Sequence, residues 1–314
     1  MSRALTFPGQ GSQAVGMGQA LSQTFPSAKL LFEEVDDALG QALSRLMWQG
    51  PEQDLTLTEN AQPALMAVSL AVMRVLEVEG KFTFGTHAAL VAGHSLGEYS
   101  ALAAAGTFTV ADAARLLKAR GLAMQRAVPV GQGAMAALLG AEIAQAEEVS
   151  REASQGSEVC VVANDNAPGQ VVISGHKAAL ERAAEIAKTK GIKRTMPLPV
   201  SAPFHSPLMA PAAREMEEAL ARVQMRPPRV PVISNVSVTP ESDPDRIRKL
   251  LVDQVTGRVR WRETIAGMRD RGITSVVEVG AGKVLTTMAK RIDKDLPASA
   301  IESPQEIEAF LKLL

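Results

Sequence analysis

An apolar run at residues 88–92 leads straight into Gly93-His94-Ser95-Leu96-Gly97, and a helical pattern starts at once. No other stretch constrains the fold as tightly. A buried strand must end, turn and become a helix within a few residues, which small flanking residues permit. The expected outcome is G-x-S-x-G in a strand–turn–helix context, with the Ser95 hydroxyl clear of the sheet at the positive end of the next helix. The plainer alternative is a serine N-cap at an ordinary strand-to-helix turn.

Strands and helices alternate around that turn. A first strand at 4–7 enters the glycine-rich Pro8-Gly-Gln-Gly-Ser-Gln13, and helical patterns follow at 18–25, 28–39 and from Glu52 onward. A long helix is predicted over 62–78, with Thr58 or Asn60 as its cap, then helices over 96–105 and 110–128. Past Gly133 the order becomes strand 134–139, helix 141–153, strand 159–163, a turn cluster at 164–169, strand 171–174, helix 177–190 and strand 193–198. That β-α-β-β-α-β order is a ferredoxin-like split unit. The α/β alternation then resumes, with helices at 207–223, 243–255, 262–271 and 283–292 and strands at 230–234 and 275–279. The expected fold class is therefore α/β. An α/β-hydrolase-like core with a parallel sheet takes residues 1–127 and 199–314, and an inserted ferredoxin-like subdomain takes 128–198.

Composition narrows the function. With 33 basic and 34 acidic side chains the net charge is −1, so no global field recruits nucleic acid or an anionic membrane. Cys160 is the single cysteine, which rules out an intramolecular disulfide and fits a cytoplasmic location. The four histidines show no H-x-x-x-H spacing, so no metal site is expected. The first residues lack the apolar core of a secretory signal. The most apolar helical segment, about 63–78, is interrupted by Arg74 and Glu77 and is expected to be too short to span a bilayer.

A serine nucleophile needs a base. His87 lies about 25 Å from Ser95 at roughly 3.3 Å per strand residue, at the wrong edge. His94 is adjacent to Ser95 and diverges from it across the turn, and His176 opens a helix of the small unit. His205 remains, in a proline-stiffened loop re-entering the large core, where a loop histidine with no role is the alternative. No acidic residue stands out as a third member; Asp165 falls in the expected turn and Asp253 on a helix. A neutral carbonyl could orient the imidazole instead.

Arg120 is a second, independent clue. Stepping its helix by 100° per residue puts Arg115, Lys118, Gln125 and Arg126 on one face. Arg120 falls amid Leu116, Leu117, Ala123, Met124 and Ala127 on the apolar face. Burying a guanidinium without an anion is costly, and its planar fork matches a carboxylate. It either snorkels, pairs with an internal carboxylate, or meets a substrate that carries one. At the first strand's end, a backbone N–H near Gln10 could join that of Leu96 as a two-donor oxyanion hole.

Phe7-Pro-Gly-Gln-Gly-Ser-Gln13, Gly93-His-Ser-Leu-Gly-Glu98, Arg120 and Ser201-Ala-Pro-Phe-His-Ser206, in that order, resemble the malonyl-CoA:acyl-carrier-protein transacylase family. Leu251-Val-Asp-Gln-Val-Thr-Gly-Arg-Val-Arg-Trp261 and Glu278-Val-Gly-Ala-Gly-Lys283 extend the resemblance along the chain. It is closer to the free-standing enzyme of fatty acid synthesis than to a polyketide-synthase module. The resemblance implies that Ser95 accepts the malonyl group, His205 is the base, and the Gln254 main-chain carbonyl orients it. It implies that Arg120 grips the malonyl carboxylate and that Gln10 and Leu96 supply the oxyanion donors. Phe204 would crowd the α-methyl of methylmalonyl-CoA.

The implied partners are malonyl-CoA and an acidic acyl carrier protein, the latter meeting a monomer. No cofactor is expected. Lys188, Lys190, Lys193 and Arg194 could form the carrier's docking surface, or simply a solvated helix end. The competing functions are a serine hydrolase using the same Ser95–His205 pair and a non-catalytic carrier-binding scaffold.

Overall fold

Among the described residues, 2–200 and 202–314 of this computed structural model, ten strands form two separate sheets. Met1 and Ser201, the latter part of the loop motif, lie outside the described residues. The strands are β1 (Arg3–Phe7), β2 (Leu90–Gly93), β3 (Gly133–Leu139), β4 (Cys160–Ala167), β5 (Gln170–His176), β6 (Arg194–Pro197), β7 (Val232–Ile233), β8 (Pro240–Glu241), β9 (Ser275–Val279) and β10 (Ala298–Ile301).

The large sheet runs β10-β9-β1-β2-β7-β8 and is parallel except at the β7–β8 pair. Apolar residues fill both faces, as a parallel sheet covered on each side requires. Leu5, Phe7, Val91 and Val277 belong to the main core, while Ala4, Leu90, Ala92 and Val276 face a second core opposite. The alternation along β1 and β2 thus sorts side chains between two helical layers.

The helix Thr58–Gly80 lies in the main core and departs from expectation in three ways. It runs 23 residues, its N-cap is Leu57, and Pro63 sits inside it. Asn60, a cap candidate, instead donates its side-chain amide to the Asp54 carbonyl at 2.9 Å. The helix is long and apolar enough by composition to cross a membrane, so the length argument against a span does not hold; 83% of its apolar window is buried within the molecule. Burial, not length, marks it as a core helix.

The small sheet runs β4-β5-β3-β6, antiparallel throughout. The helices Ile143–Ala153 and Lys177–Thr189 cover one face over Ala136, Leu138, Val162 and Ile173. The other face gives Met135, Ala137, Ala163 and Val172 to the main core.

The expected turn at 164–169 is a correction. β4 continues to Ala167 with two register shifts, and only Pro168 and Gly169 separate it from β5. Asn and Asp are poor strand formers, but tertiary pairing overrides propensity. The Asp165 N–H donates to the Val259 carbonyl at 2.9 Å, and the Val259 N–H donates to the Ala163 carbonyl at 2.8 Å. The Asp165 carboxylate, 2% exposed, accepts from Arg262 Nε at 2.9 and 3.0 Å. Arg258–Glu147 at 2.8 Å and Arg291 to the Pro168 carbonyl at 2.7 Å also tie the small sheet to the rest.

Elsewhere the elements shorten. The 207–223 helix becomes a 3-10 turn, Pro207–Met209, followed by Ala210–Ala221, and the 262–271 helix becomes Trp261–Ala266 plus a 3-10 turn, Arg269–Arg271. The helix Leu43–Gln49 was not expected from the pattern. Replacing Arg262 with Ala leaves a buried carboxylate unpaired. Because the guanidinium is partly exposed, the expected loss is about 2 kcal/mol in urea unfolding. A loss under about 0.5 kcal/mol would show that this pair does not fasten β4.

Candidate active site

Ser95 follows β2 with φ at +53°, a left-handed conformation that costs energy for a non-glycine residue. The helix Gly97–Ala104 begins two residues later. Two glycines allow the turn. A Cβ at Gly93 would drive into the Gly97 carbonyl, and one at Gly97 into the Phe7 carbonyl. The strained peptide is clamped from outside. The Ser95 N–H donates to Asn235 Oδ1 at 2.7 Å, and Asn235 Nδ2 donates to the Gly93 carbonyl at 2.6 Å.

His205, also at positive φ (+57°), is 4% exposed, and its Nε2 lies 2.8 Å from Ser95 Oγ. Its Nδ1 faces two carbonyls, Gln254 at 2.9 Å and Gly257 at 3.1 Å. Both come from the end of the helix Pro244–Thr256, where carbonyls lack intrahelical partners. Two acceptors at Nδ1 require a proton there, so Nε2 carries the lone pair that faces the serine hydroxyl. No carboxylate is needed to set that tautomer. Burial first, then the Arg120 charge, push the imidazole down to about 3, so it is neutral at pH 7.

Arg120 is 1% exposed, as its place on the apolar helix face requires. Its Nη1 donates to Gln62 Oε1 at 2.8 Å, and Nη2 donates to Gln254 Oε1 at 2.9 Å and Ser95 Oγ at 3.2 Å. The guanidinium lies over the Tyr99 ring, 5.7 Å from its centroid. Among the described residues its hydrogen-bond partners are neutral oxygens, which removes the snorkelling and direct internal ion-pair alternatives.

Glu98 is linked to Arg120 through the Gln254 amide. Its Oε2 accepts from Gln254 Nε2 at 2.8 Å and from the Asn235 N–H at 3.0 Å. Burial raises this carboxyl to about 7 against those hydrogen bonds and the Arg120 charge. Burial thus disfavours its ionised form, and no carboxylate bonds directly to the guanidinium among the described residues.

The cleft encloses about 900 Å³, including its open mouth. Gln10, Ser95, Leu96, Arg120, Phe204 and His205 all line it. Among the described residues, neither the Gln10 nor the Leu96 backbone N–H has a protein acceptor. Gln254 approaches from behind through its carbonyl and side chain.

In the basic cluster, Lys190 lies between Glu148 and Glu152, each at 2.9 Å, and the exposed Lys188 meets Glu185 at 2.6 Å. Lys193 and Arg194 are exposed as well. His94 does diverge from Ser95, with its Nε2 2.8 Å from Asn166 Oδ1 and its ring 5.6 Å from that of Trp261. His87 and His176 accept local backbone N–H groups, from Thr83 and Val159, at 3.0 Å.

Sequence reasoning missed Gln62, Glu98 and Asn235. Glu98 carried a usable signal as the one charged residue of the helix Gly97–Ala104, whereas Gln62 closely follows the polar Thr58-Glu59-Asn60 and carried little. Asn235 follows a two-residue strand and carried none. His205 is expected to remain neutral at pH 5, as read by imidazole ¹⁵N shifts in specifically assigned protein. An imidazolium there at pH 5 would contradict the burial argument.

Residues 5–303 match the acyl transferase domain family model. The malonyl CoA-acyl carrier protein transacylase of Escherichia coli strain K12 is 46% identical over 310 residues, covering 99% of each chain. The solved acyl-carrier-protein S-malonyltransferase of Bartonella henselae is 56% identical with a TM-score of 0.97, covering 100% of this chain and 99% of that one. A malonyl-transacylase solved in complex with a type II PKS acyl-carrier protein is 41% identical with a TM-score of 0.96, covering all of both chains. With identity of this order sustained over the full length, the chain belongs to the malonyl-CoA:acyl-carrier-protein transacylase family of acyl transferases.

Proposed function

We propose that this chain moves the malonyl group from malonyl-CoA to the phosphopantetheine thiol of an acyl carrier protein, for fatty acid synthesis. One observation carries the proposal: Ser95 Oγ lies 2.8 Å from His205 Nε2 and 3.2 Å from Arg120 Nη2 in one cleft. A nucleophile, a neutral base and a buried cation with no direct carboxylate partner suit an acyl donor that bears a carboxylate.

Ser95 Oγ attacks the thioester carbonyl as its proton passes to His205 Nε2. The oxyanion is received by the Gln10 and Leu96 N–H groups. The Gln254 and Gly257 carbonyls stabilise the imidazolium that forms at His205. Collapse expels the coenzyme A thiolate, which recovers the proton from Nε2. The carrier thiol then gives its proton to His205 and attacks the malonyl-serine ester, and collapse releases Ser95, whose Oγ takes that proton back from Nε2. Arg120 exchanges its bond to Ser95 Oγ for the malonyl carboxylate and so orients the acyl group through both steps. Beyond the two thiol-bearing substrates, each step uses side chains and backbone of this chain, so the scheme calls for no cofactor.

The same reading includes a cytoplasmic, monomeric enzyme with an α/β-hydrolase-like core, 1–127 and 199–314, and a ferredoxin-like subdomain, 128–198. The parallel order of β9, β1, β2 and β7 supports the first part, and the β4-β5-β3-β6 order supports the second. Lys188, Lys190, Lys193 and Arg194 are the cations proposed to steer an acidic carrier, with Lys190 the most closely paired of them.

Intact-mass measurement after malonyl-CoA treatment tests the assignment. Wild type gains one malonyl group, Ser95→Ala gains none, and Arg120→Ala accepts acetyl in better competition with malonyl. Rapid release of malonate without carrier protein would favour a hydrolase, and an unmodified wild type would remove catalysis. Phe204, 9% exposed in the cleft wall, is expected to exclude the α-methyl. Phe204→Ala should raise relative kcat/KM for methylmalonyl-CoA about tenfold, and an unchanged ratio would assign selectivity elsewhere.

A further inference from the structure

We infer that Asn164 is a binding residue for the first amide of the pantetheine arm, the element that malonyl-CoA and the carrier's prosthetic group share. The inference rests on the malonyl-transfer reading above. Asn164 is 6% exposed and lines the cleft, and among the described residues its side-chain amide has no protein partner. Its neighbour Asn166 also lines the cleft, but its Oδ1 faces His94 Nε2 at 2.8 Å. The Asn164 amide atoms are not sealed from the cleft, so a ligand that enters there can meet them.

The wall that carries it is rigid. Asn164 pairs with Val172 across the small sheet, and the backbone on either side of it bonds to Val259 at 2.8 and 2.9 Å. The backbone that presents the Asn164 side chain to the cleft is thus held on both sides.

The substrate's own polar groups narrow the choice of partner. In the proposed scheme the malonyl carboxylate goes to Arg120 and the thioester oxygen to Gln10 and Leu96, all from the large sheet's side. The thiol chain must leave along the opposite wall, which the small sheet builds. Two methylenes separate its sulfur from a secondary amide, and Met135, Val172 and Leu198 offer those methylenes apolar contact. A secondary amide presents one N–H and one carbonyl, and the Asn164 side chain presents Oδ1 and Nδ2. Because both substrates carry this arm, one residue serves both half-reactions.

The test compares two small donors on the intact enzyme: the malonyl thioester of N-acetylcysteamine and its isostere with the amide NH replaced by CH2. The readout is the ratio of their kcat/KM values for acylation of Ser95, in which the amount of folded protein cancels. Wild type should prefer the amide-bearing donor, and Asn164→Ala should lower that ratio about five- to tenfold. Asn164→Ser, a milder cut, should lower it in the same direction and covers the case in which Asn164→Ala does not fold. An unchanged ratio in the variants, or a wild type without preference, overturns the inference while leaving malonyl transfer intact. With malonyl-CoA run alongside, a wild type that none of the three donors acylates overturns the functional reading itself, and one that malonyl-CoA alone acylates overturns the inference.

Discussion

A hydroxyl, an imidazole and a guanidinium can share one cleft only if none is satisfied at another's expense, and Gln254 meets that condition. Its carbonyl accepts from His205 Nδ1 and its Oε1 from Arg120, while its Nε2 donates to the Ser95 carbonyl and to Glu98. One fully buried residue therefore sets the base's tautomer, aims the cation and supports the strained turn. An acid in the third position would serve the first task. It would also neutralise the guanidinium that the substrate carboxylate must find.

The two sheets contribute different things. The carboxyl ends of β1 and β2 deliver Gln10 and Ser95, where ligands of parallel sheets ordinarily bind. The small sheet supplies the facing wall and is locked by paired backbone at Val259 and by the Asp165–Arg262 ion pair. Rigid walls on both sides keep the reacting groups in register for two successive thioester chemistries.

Much of this was legible in the sequence where local rules decide the outcome. The elbow follows from the small residues flanking Ser95, and Arg120's burial follows from helical periodicity alone. His205 came by elimination among four histidines, and the succession of strands and helices in the small unit came from its alternating pattern. Tertiary contacts decided what was missed. β4 extends through Asn164, Asp165 and Asn166 because distant Val259, Arg262 and His94 receive it. The pairing of Lys190 left no local signal because its partners Glu148 and Glu152 lie some forty positions away, on a neighbouring helix. The helix Thr58–Gly80 began earlier than its apolar run because its first turn is polar yet buried.

The central claim is that the buried guanidinium of Arg120 holds the carboxylate of the acyl group. A crystal structure of the malonyl-enzyme, accumulated without carrier protein, tests it most directly. The account predicts the carboxylate within about 3 Å of two guanidinium nitrogens of Arg120. A malonyl-Ser95 ester whose carboxylate points to solvent, with Arg120 still bonded to Ser95 Oγ, would contradict it.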